Sequence, residues 1–484
     1  MNDHSDQNQL RTTTRVAYGV GDLGPAMAGN FLLVFCFFFL TNVAGLPPDQ
    51  AGVILMLSNF CCAVSTLVVG FLSDRTQTRW GRRRVWMLGT TPIFAIACCL
   101  HWWVPTSDDG VNFVYYLIVA LLFQAASTGY LVPYGALLTD LSEDYHERTR
   151  LTSYRFIGAL GGGAGILLLA RFIADWVGSA QQQFLDLGLV CALSIVISIV
   201  WCCLVTYEPS TSSENSSADK ESSNAFRDFW REMKPLLSNR PLLFLIGIYG
   251  LSWTAVELLP GILPYFVVNT MDLDFSAVAL MVLILQASAM MGMFLWNPLT
   301  QQVGKKTVFG VGTLVWILAE VGLFRLHAGD LSFMYGLATI AGLGMATAYL
   351  VPTSMLPEVA DWDELQTGKR REGLFYSLML FGQKMGLALG LFLLGQFLSW
   401  SGFRETVPGD DLVTLQPDSA LFAVRIAMLV LPILPLLASL VLTYFYPLNQ
   451  QVHQDTVTQL QQRRKGANAE YEDADAQLQQ QEAG

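Results

Sequence analysis

The chain has 484 residues, 53% of them hydrophobic and 14% charged, with a formal charge of −11 at pH 7 and a mean hydropathy of +0.43. Soluble domains carry roughly 25% charged residues, and the shortfall excludes a water-soluble globule. No basic segment stands apart from the apolar ones, which also excludes a nucleic-acid-binding domain.

Residues 1–15 form a polar tail. Apolar runs follow near 17–44, 48–73, 85–105, 111–138, 152–176 and 183–206, each close to the roughly 20 residues a membrane span needs. The first run is too long for the core of a cleaved signal peptide, so it reads as an uncleaved span. A stretch rich in Ser and charge, 207–240, reads as a linker. Six more runs fall near 241–269, 274–298, 307–326, 331–355, 373–401 and 419–446, and a Gln- and Glu-rich tail, 447–484, closes the chain. The pattern predicts an all-α membrane protein of twelve transmembrane helices, with one six-helix bundle over 16–206 and a second over 241–446.

Basic residues fix the expected orientation. Arg75, Arg79, Arg82, Arg83 and Arg84 follow the second run, and the linker and later even-numbered connections add more. The opposite connections, GLPPDQ, PTSDDG and NTMDLD, hold no Lys or Arg. Basic loops stay on the inner side, which predicts a multi-pass protein of the plasma membrane, here the bacterial inner membrane, with both termini cytoplasmic. All eight cysteines lie inside apolar runs at spacings that suit neither a metal site nor a disulfide framework.

Residues 131–155, LVPYGALLTDLSEDYHERTRLTSYR, and 350–377, LVPTSMLPEVADWDELQTGKRREGLFYS, repeat one scheme six spans apart. Each has an apolar exit with Pro, then acidic residues, a basic cluster and a Tyr opening the next helix. Two such halves suit a transporter with a path between them. Asp74 and Arg82 with Asp140, Glu143 and Arg150 in the first half, and Asp361, Asp363 and Arg371 in the second, are expected to form a cytoplasmic gate of ion pairs.

An ionisable group at mid-span costs roughly 2.5–3.5 kcal/mol on insertion scales, so it survives when paired or facing water. Asp22 lies in the first run among Gly19, Gly21 and Gly24, with Arg155 or Lys384 as its candidate partner. Lys384, beside Gln383, is too deep to snorkel. Trp253 and Glu257 stand four apart, hence on one helix face. Pro260 and Pro264 follow, and they are expected to break the helix and line a cavity. Burial disfavours a charged carboxylate, so Glu257 is a candidate proton carrier, with a satisfied structural Glu as the plain alternative. Ser58, Cys62 and Ser65 share one face that suits helix packing. The Gly158–Gly165 run reads as a close-packing surface, not a phosphate loop.

YGVGDLG (18–24), GFLSDRTQTRWGRRR (70–84) and the two repeated segments resemble the glycoside–pentoside–hexuronide cation symporters, the melibiose permease-like group of the major facilitator superfamily. The resemblance runs from Arg15 to about Pro447. It implies alternating access, and it assigns Asp22 to sugar hydroxyls, Arg155 to a place beside it and Lys384 to the cation site. Three departures stand out. The cation-binding aspartates and asparagine of the second helix fall on Cys62, Ser65 and Thr66. The fourth-helix aspartate falls on Leu131, and the sugar-stacking aromatic on Gly135. A thiol and two hydroxyls are poor ligands for Na⁺, so a proton is favoured as the coupling ion.

The expectation is a cation-coupled symporter of a sugar, glycoside or related small polar solute. Asp22, Arg155, Trp253, Gln383 and Lys384 would bind the solute, and Asp22, Glu257 and Lys384 would handle the coupling proton. The same scaffold carrying an amphipathic, lysolipid-like solute is the alternative, and a membrane enzyme is remote, since no catalytic motif appears. No metal or organic cofactor is expected. The expected partners are the solute, H⁺ or less favourably Na⁺, and the bilayer. A monomer is the default.

Overall fold

The computed structural model describes residues 10–76, 78, 80–106, 108–142, 145–173, 179–206, 236, 239–327, 329–368, 372–404, 416–448, 451–460 and 462. Most of the expected linker therefore lies outside the described residues. Thirteen α-helices account for almost all of the rest. The first half comprises α1 (Thr12–Gly21), α2 (Leu23–Asn42), α3 (Pro48–Arg75), α4 (Arg82–Leu100), α5 (Asp109–Leu141), α6 (Tyr145–Ile173) and α7 (Ala180–Val205). The second comprises α8 (Arg240–Tyr265), α9 (Phe275–Val303), α10 (Lys305–Phe324), α11 (Leu331–Thr367), α12 (Glu372–Trp400) and α13 (Asp418–Phe445).

Among the described residues, eleven segments are long and apolar enough to cross a membrane, with α1 and α2 counted as one. The twelfth span is α4, whose first turn is Arg82-Arg83-Arg84 and whose middle holds Thr90, Thr91 and Pro92. Those residues dilute its apolar character without shortening the helix. Large side chains such as Leu204, Phe294, Leu318 and Phe333 face outward on these helices. A lipid-facing surface of that kind suits a helix that is apolar on all sides.

Packing repeats between the halves. α2 lies against α6 as α8 lies against α12, and α3 and α4 lie against α5 as α9 and α10 lie against α11. The halves meet through α2 with α8, α3 with α12 and α6 with α9. Along α3 and α12 the approach is through glycine: a Cβ on Gly395 would collide with the Pro48 carbonyl, and one on Gly52 would stand 3.1 Å from the Leu391 oxygen. Nearer the same end, Tyr265 donates to the Phe37 carbonyl at 3.0 Å, and its hydroxyl lies 2.5 Å from Thr41 Oγ1. These contacts lie at the acid-loop end of the bundle, the end of the GLPPDQ, PTSDDG and NTMDLD connections.

Two expectations need correction. The first span is not one continuous helix, because it is interrupted at Asp22. Pro25 has no amide hydrogen, which leaves the Gly21 carbonyl without its helical donor, and Tyr130 supplies one at 2.7 Å. The Asp22 amide turns to the Gly19 carbonyl, and Tyr134 donates to the Tyr18 carbonyl at 2.5 Å. Conversely, the seventh span is not broken at its prolines. α8 runs through Pro260 and Pro264, and the irregularity follows as a π-helical turn over Phe266–Thr270. Neighbouring helices bury this segment, and packing of that kind tolerates proline within a span.

The glycine run of α6 packs as its composition suggests. Added Cβ atoms on Gly158 and Gly162 would strike the carbonyls of Gly19 and Leu23, so α6 sits on the backbone of the interrupted span. The eight cysteines are free. Cys62 meets Thr128 of α5 at 3.6 Å, and Ser58 bonds the Leu55 carbonyl of its own helix.

Candidate functional site

Two acid–base pairs stand at corresponding places in the two halves. In the first half Arg155 Nε of α6 donates to Asp22 Oδ2, at the α1–α2 interruption, at 2.8 Å. In the second half Lys384 Nζ of α12 lies 3.5 Å from Glu257 Oε1 of α8. Each acid sits on its half's first span and each base on its fifth. The carboxylates are nearly buried, whereas each base keeps about one third of its side chain exposed, at 33% for both Arg155 and Lys384. Each charge is thereby compensated, and each base keeps an exposed face.

Aromatic rings support the first pair. The Arg155 guanidinium lies 5.1 Å from the centre of the Tyr134 ring, close enough for a cation–π attraction. Tyr134 stacks on Tyr18 at 4.7 Å and on Tyr130 at 5.1 Å. Tyr130 and Tyr134 are the two that satisfy the carbonyls freed at the interruption, so one group of rings both repairs the backbone and seats the guanidinium. A Cβ on Gly135 would lie 4.0 Å from Arg155 Nη1. That face of α5 therefore fronts the pair, and Leu131, one turn earlier on it, is 38% exposed.

The second pair is a longer chain of hydrogen bonds. Tyr249 donates to Gln383 Oε1 at 3.0 Å, and Gln383 Nε2 donates to Glu257 Oε1 at 2.7 Å. Lys384 joins the same oxygen, while Glu257 Oε2 is buried without a partner among the described residues. Trp253 packs against Tyr249 and edge-on against Tyr349 at 4.9 Å, with its indole N–H unpartnered. Cys62 is an electrostatic neighbour of Lys384, which brings the face of α3 that lacks carboxylates next to this pair.

Several of the described residues assigned to a gate have partners within their own halves. Arg82 Nη2 lies 2.7 Å and Arg83 Nε 3.5 Å from Asp140. Arg150 lies 3.0 Å from Glu147, and Arg15 binds both oxygens of that carboxylate, at 3.0 and 2.8 Å. In the second half Lys305 meets Glu358 at 2.6 Å, Asp361 faces His453 at 3.4 Å, and Asn239 donates to Asp363 at 3.0 Å. Glu143, Arg371 and the side chain of Asp74 lie outside the described residues.

Sequence reasoning did not single out Glu147, Tyr18, Tyr130, Tyr134 or Tyr249. Its signal for the tyrosines was the i, i+4 spacing of Tyr18 with Asp22, of Tyr130 with Tyr134, and of Tyr249 with Trp253, each of which puts two side chains on one face.

The family described as MFS/sugar transport protein matches residues 17–450. An uncharacterised symporter of Synechocystis is 37% identical, with 96% of this chain and 99% of the relative covered. A protein of Xenopus tropicalis named as a sodium-dependent lysophosphatidylcholine symporter is 26% identical over 94% of this chain and 91% of its own. Among solved structures, a bacterial homologue of the lysosomal transporter Spinster superposes with a TM-score of 0.64 at 14% identity. That comparison covers 90% of this chain and 97% of the other.

Proposed function

This chain belongs to the MFS/sugar transport family, and from that premise we propose that it is a proton-coupled symporter of a sugar, glycoside or similar polar solute. It is a multi-pass membrane transporter rather than an enzyme. The observation that carries the finer reading is the pair of acid–base contacts, one per half, each with its base partly exposed.

A solute that touches both pairs touches both halves. It therefore binds best where the halves approach, which is how a ligand biases a two-state equilibrium. Asp22 and Arg155 present an acceptor and donors to hydroxyls. Trp253 offers an apolar face and a free N–H, and Glu257 Oε2 is the oxygen left to take a proton. Protonation there neutralises the carboxylate and loosens Lys384, which then turns to the solute.

The basic connections and the linker share one end of the bundle, and we assign that end to the cytoplasm. The hydrogen bonds named between the halves lie at the opposite end, and several charged loop residues have partners inside their own halves. Both features fit a conformation open to the inside.

A second reading is favoured by the face of α5. Leu131 and Gly135 give an apolar wall where the family's sugar-binding side chains are expected, and such a wall suits an amphipathic solute whose head meets the two pairs. The Xenopus relative's name points the same way.

The test is uptake into proteoliposomes of labelled glycosides, pentosides and lysophospholipids under an inward H⁺ or Na⁺ gradient. Proton-driven glycoside uptake that falls at least about tenfold in Asp22→Asn and Glu257→Gln supports the first reading. Uptake confined to lysophospholipids replaces it with the second, and uptake driven by Na⁺ alone contradicts the proton assignment.

A further inference from the structure

Among the described residues Glu257 Oε1 receives two donors while Oε2 receives none, and the donor from Gln383 depends on which way that amide faces. An amide can present either its oxygen or its nitrogen to a carboxylate, and only the nitrogen favours the charged form. The group that fixes the choice lies on the far side. Tyr249, 3% exposed and one turn before Trp253 on α8, gives its hydroxyl proton to Gln383 Oε1.

We propose that Tyr249 is a positioning residue for the coupling proton. By holding Gln383 with its nitrogen towards Glu257, it keeps the carboxylate ionised until a proton arrives at Oε2. The inference rests on the reading of Glu257 as the proton carrier and adds the device that sets its readiness.

The Tyr249 hydroxyl gives its proton to the amide oxygen, and an oxygen so engaged is not the end turned to the carboxylate. With Glu257 charged, Tyr249 donates to the amide oxygen and the amide nitrogen donates to the carboxylate. The proton enters at Oε2, so with Glu257 neutral the amide keeps the same sense, and its nitrogen still donates to Oε1, more weakly because the acceptor has lost its charge. Phenylalanine in place of Tyr249 leaves the amide oxygen unsatisfied and the amide free to turn, which weakens the donor to the charged carboxylate more than the donor to the neutral acid.

Few other charges compete for this carboxyl. Lys384 comes from α12, with Cys62 of α3 behind it. Tyr349 of α11 and Tyr249 itself are further titratable neighbours, and Tyr376 of α12 lies near Tyr249. Lys384 and Gln383 are adjacent in sequence and share one acceptor, so a change at the amide leaves the ion pair in place.

Infrared difference spectroscopy, with pH titration of the full chain reconstituted in phosphatidylglycerol vesicles, tests this without a solute. The carboxylic acid band that disappears in Glu257→Gln reports the protonation of Glu257. In Tyr249→Phe the pH at which that band half-develops should rise by roughly one unit, the scale expected from weakening a hydrogen bond to a charged group. Gln383→Leu should raise it at least as much, and the double variant no further than Gln383→Leu alone, because Tyr249 acts through the amide. A midpoint unmoved in Tyr249→Phe, or a shift that adds in full to that of Gln383→Leu, overturns the proposal. If Glu257→Gln removes no band, the proton-carrier reading itself fails.

Discussion

Asp22 and Arg155 form a buried-to-exposed ion pair whose members are unequal. Removing Arg155 strands a carboxylate that is 7% exposed, whereas removing the charge of Asp22 leaves a guanidinium that still has solvent and the Tyr134 ring. Unpairing a buried charge is strongly destabilising, although the one-third exposure of Arg155 reduces the effect. Arg155→Ala should therefore lower unfolding stability in detergent by about 2 kcal/mol, and the double variant Asp22→Asn/Arg155→Ala should recover most of that loss. Thermal unfolding of the purified variants checks both. The four charges were legible as ionisable residues inside apolar runs, and the family resemblance set Arg155 beside Asp22, but the residues alone left the pairing open. Asp22 had two candidate bases, and only the packing of α6 on the interrupted span selects Arg155. Glu147 was missed because it sits in a segment dense with charge, at the first turn of α6, where sequence alone does not distinguish a buried carboxylate from a solvated one.

The interruption of the first span and the glycine face of α6 are one device at the level of elements. Breaking the helix at Asp22 exposes carbonyls, the tyrosines of α5 satisfy them, and glycines let α6 approach the same backbone. Gly162→Leu should separate α6 from Leu23, abolish transport and reduce the yield of folded protein. Gly161→Ala, where an added Cβ meets nothing within 4 Å, should leave both near wild type. Size-exclusion profiles in detergent together with uptake distinguish the two outcomes. The glycine run was legible as a packing surface because small residues let helices approach closely. The place of the break was misread. Pro260 and Pro264 were the louder signal, yet a buried proline only kinks a helix that its neighbours support. Pro25, near the start of a run, marks the true break, and its effect depends on Tyr130, which lies more than a hundred residues away.

At the scale of the whole molecule, the span pattern, the two halves and the family were legible, because apolar length and the repeated loop chemistry are local properties. Which end of the path is closed was not, because that depends on Thr41, Tyr265, Gly52 and Gly395 meeting across the halves. Tyr265→Phe removes the hydrogen bonds to Thr41 and to the Phe37 carbonyl. A loss of about 1 kcal/mol should raise the population open at the acid-loop end about fivefold. Electron–electron distance measurements between spin labels at Trp103→Cys and Phe333→Cys, in a background without the native cysteines, should register the longer distance. The central claim, that solute movement carries a proton through Glu257, is tested most directly by solute-evoked acidification inside proteoliposomes holding a pH-sensitive dye, with no ion gradient other than that of the solute. Acidification on addition of a transported glycoside, absent in Glu257→Gln, is the predicted result. Solute entry with no acidification, or acidification that persists in Glu257→Gln, would contradict it.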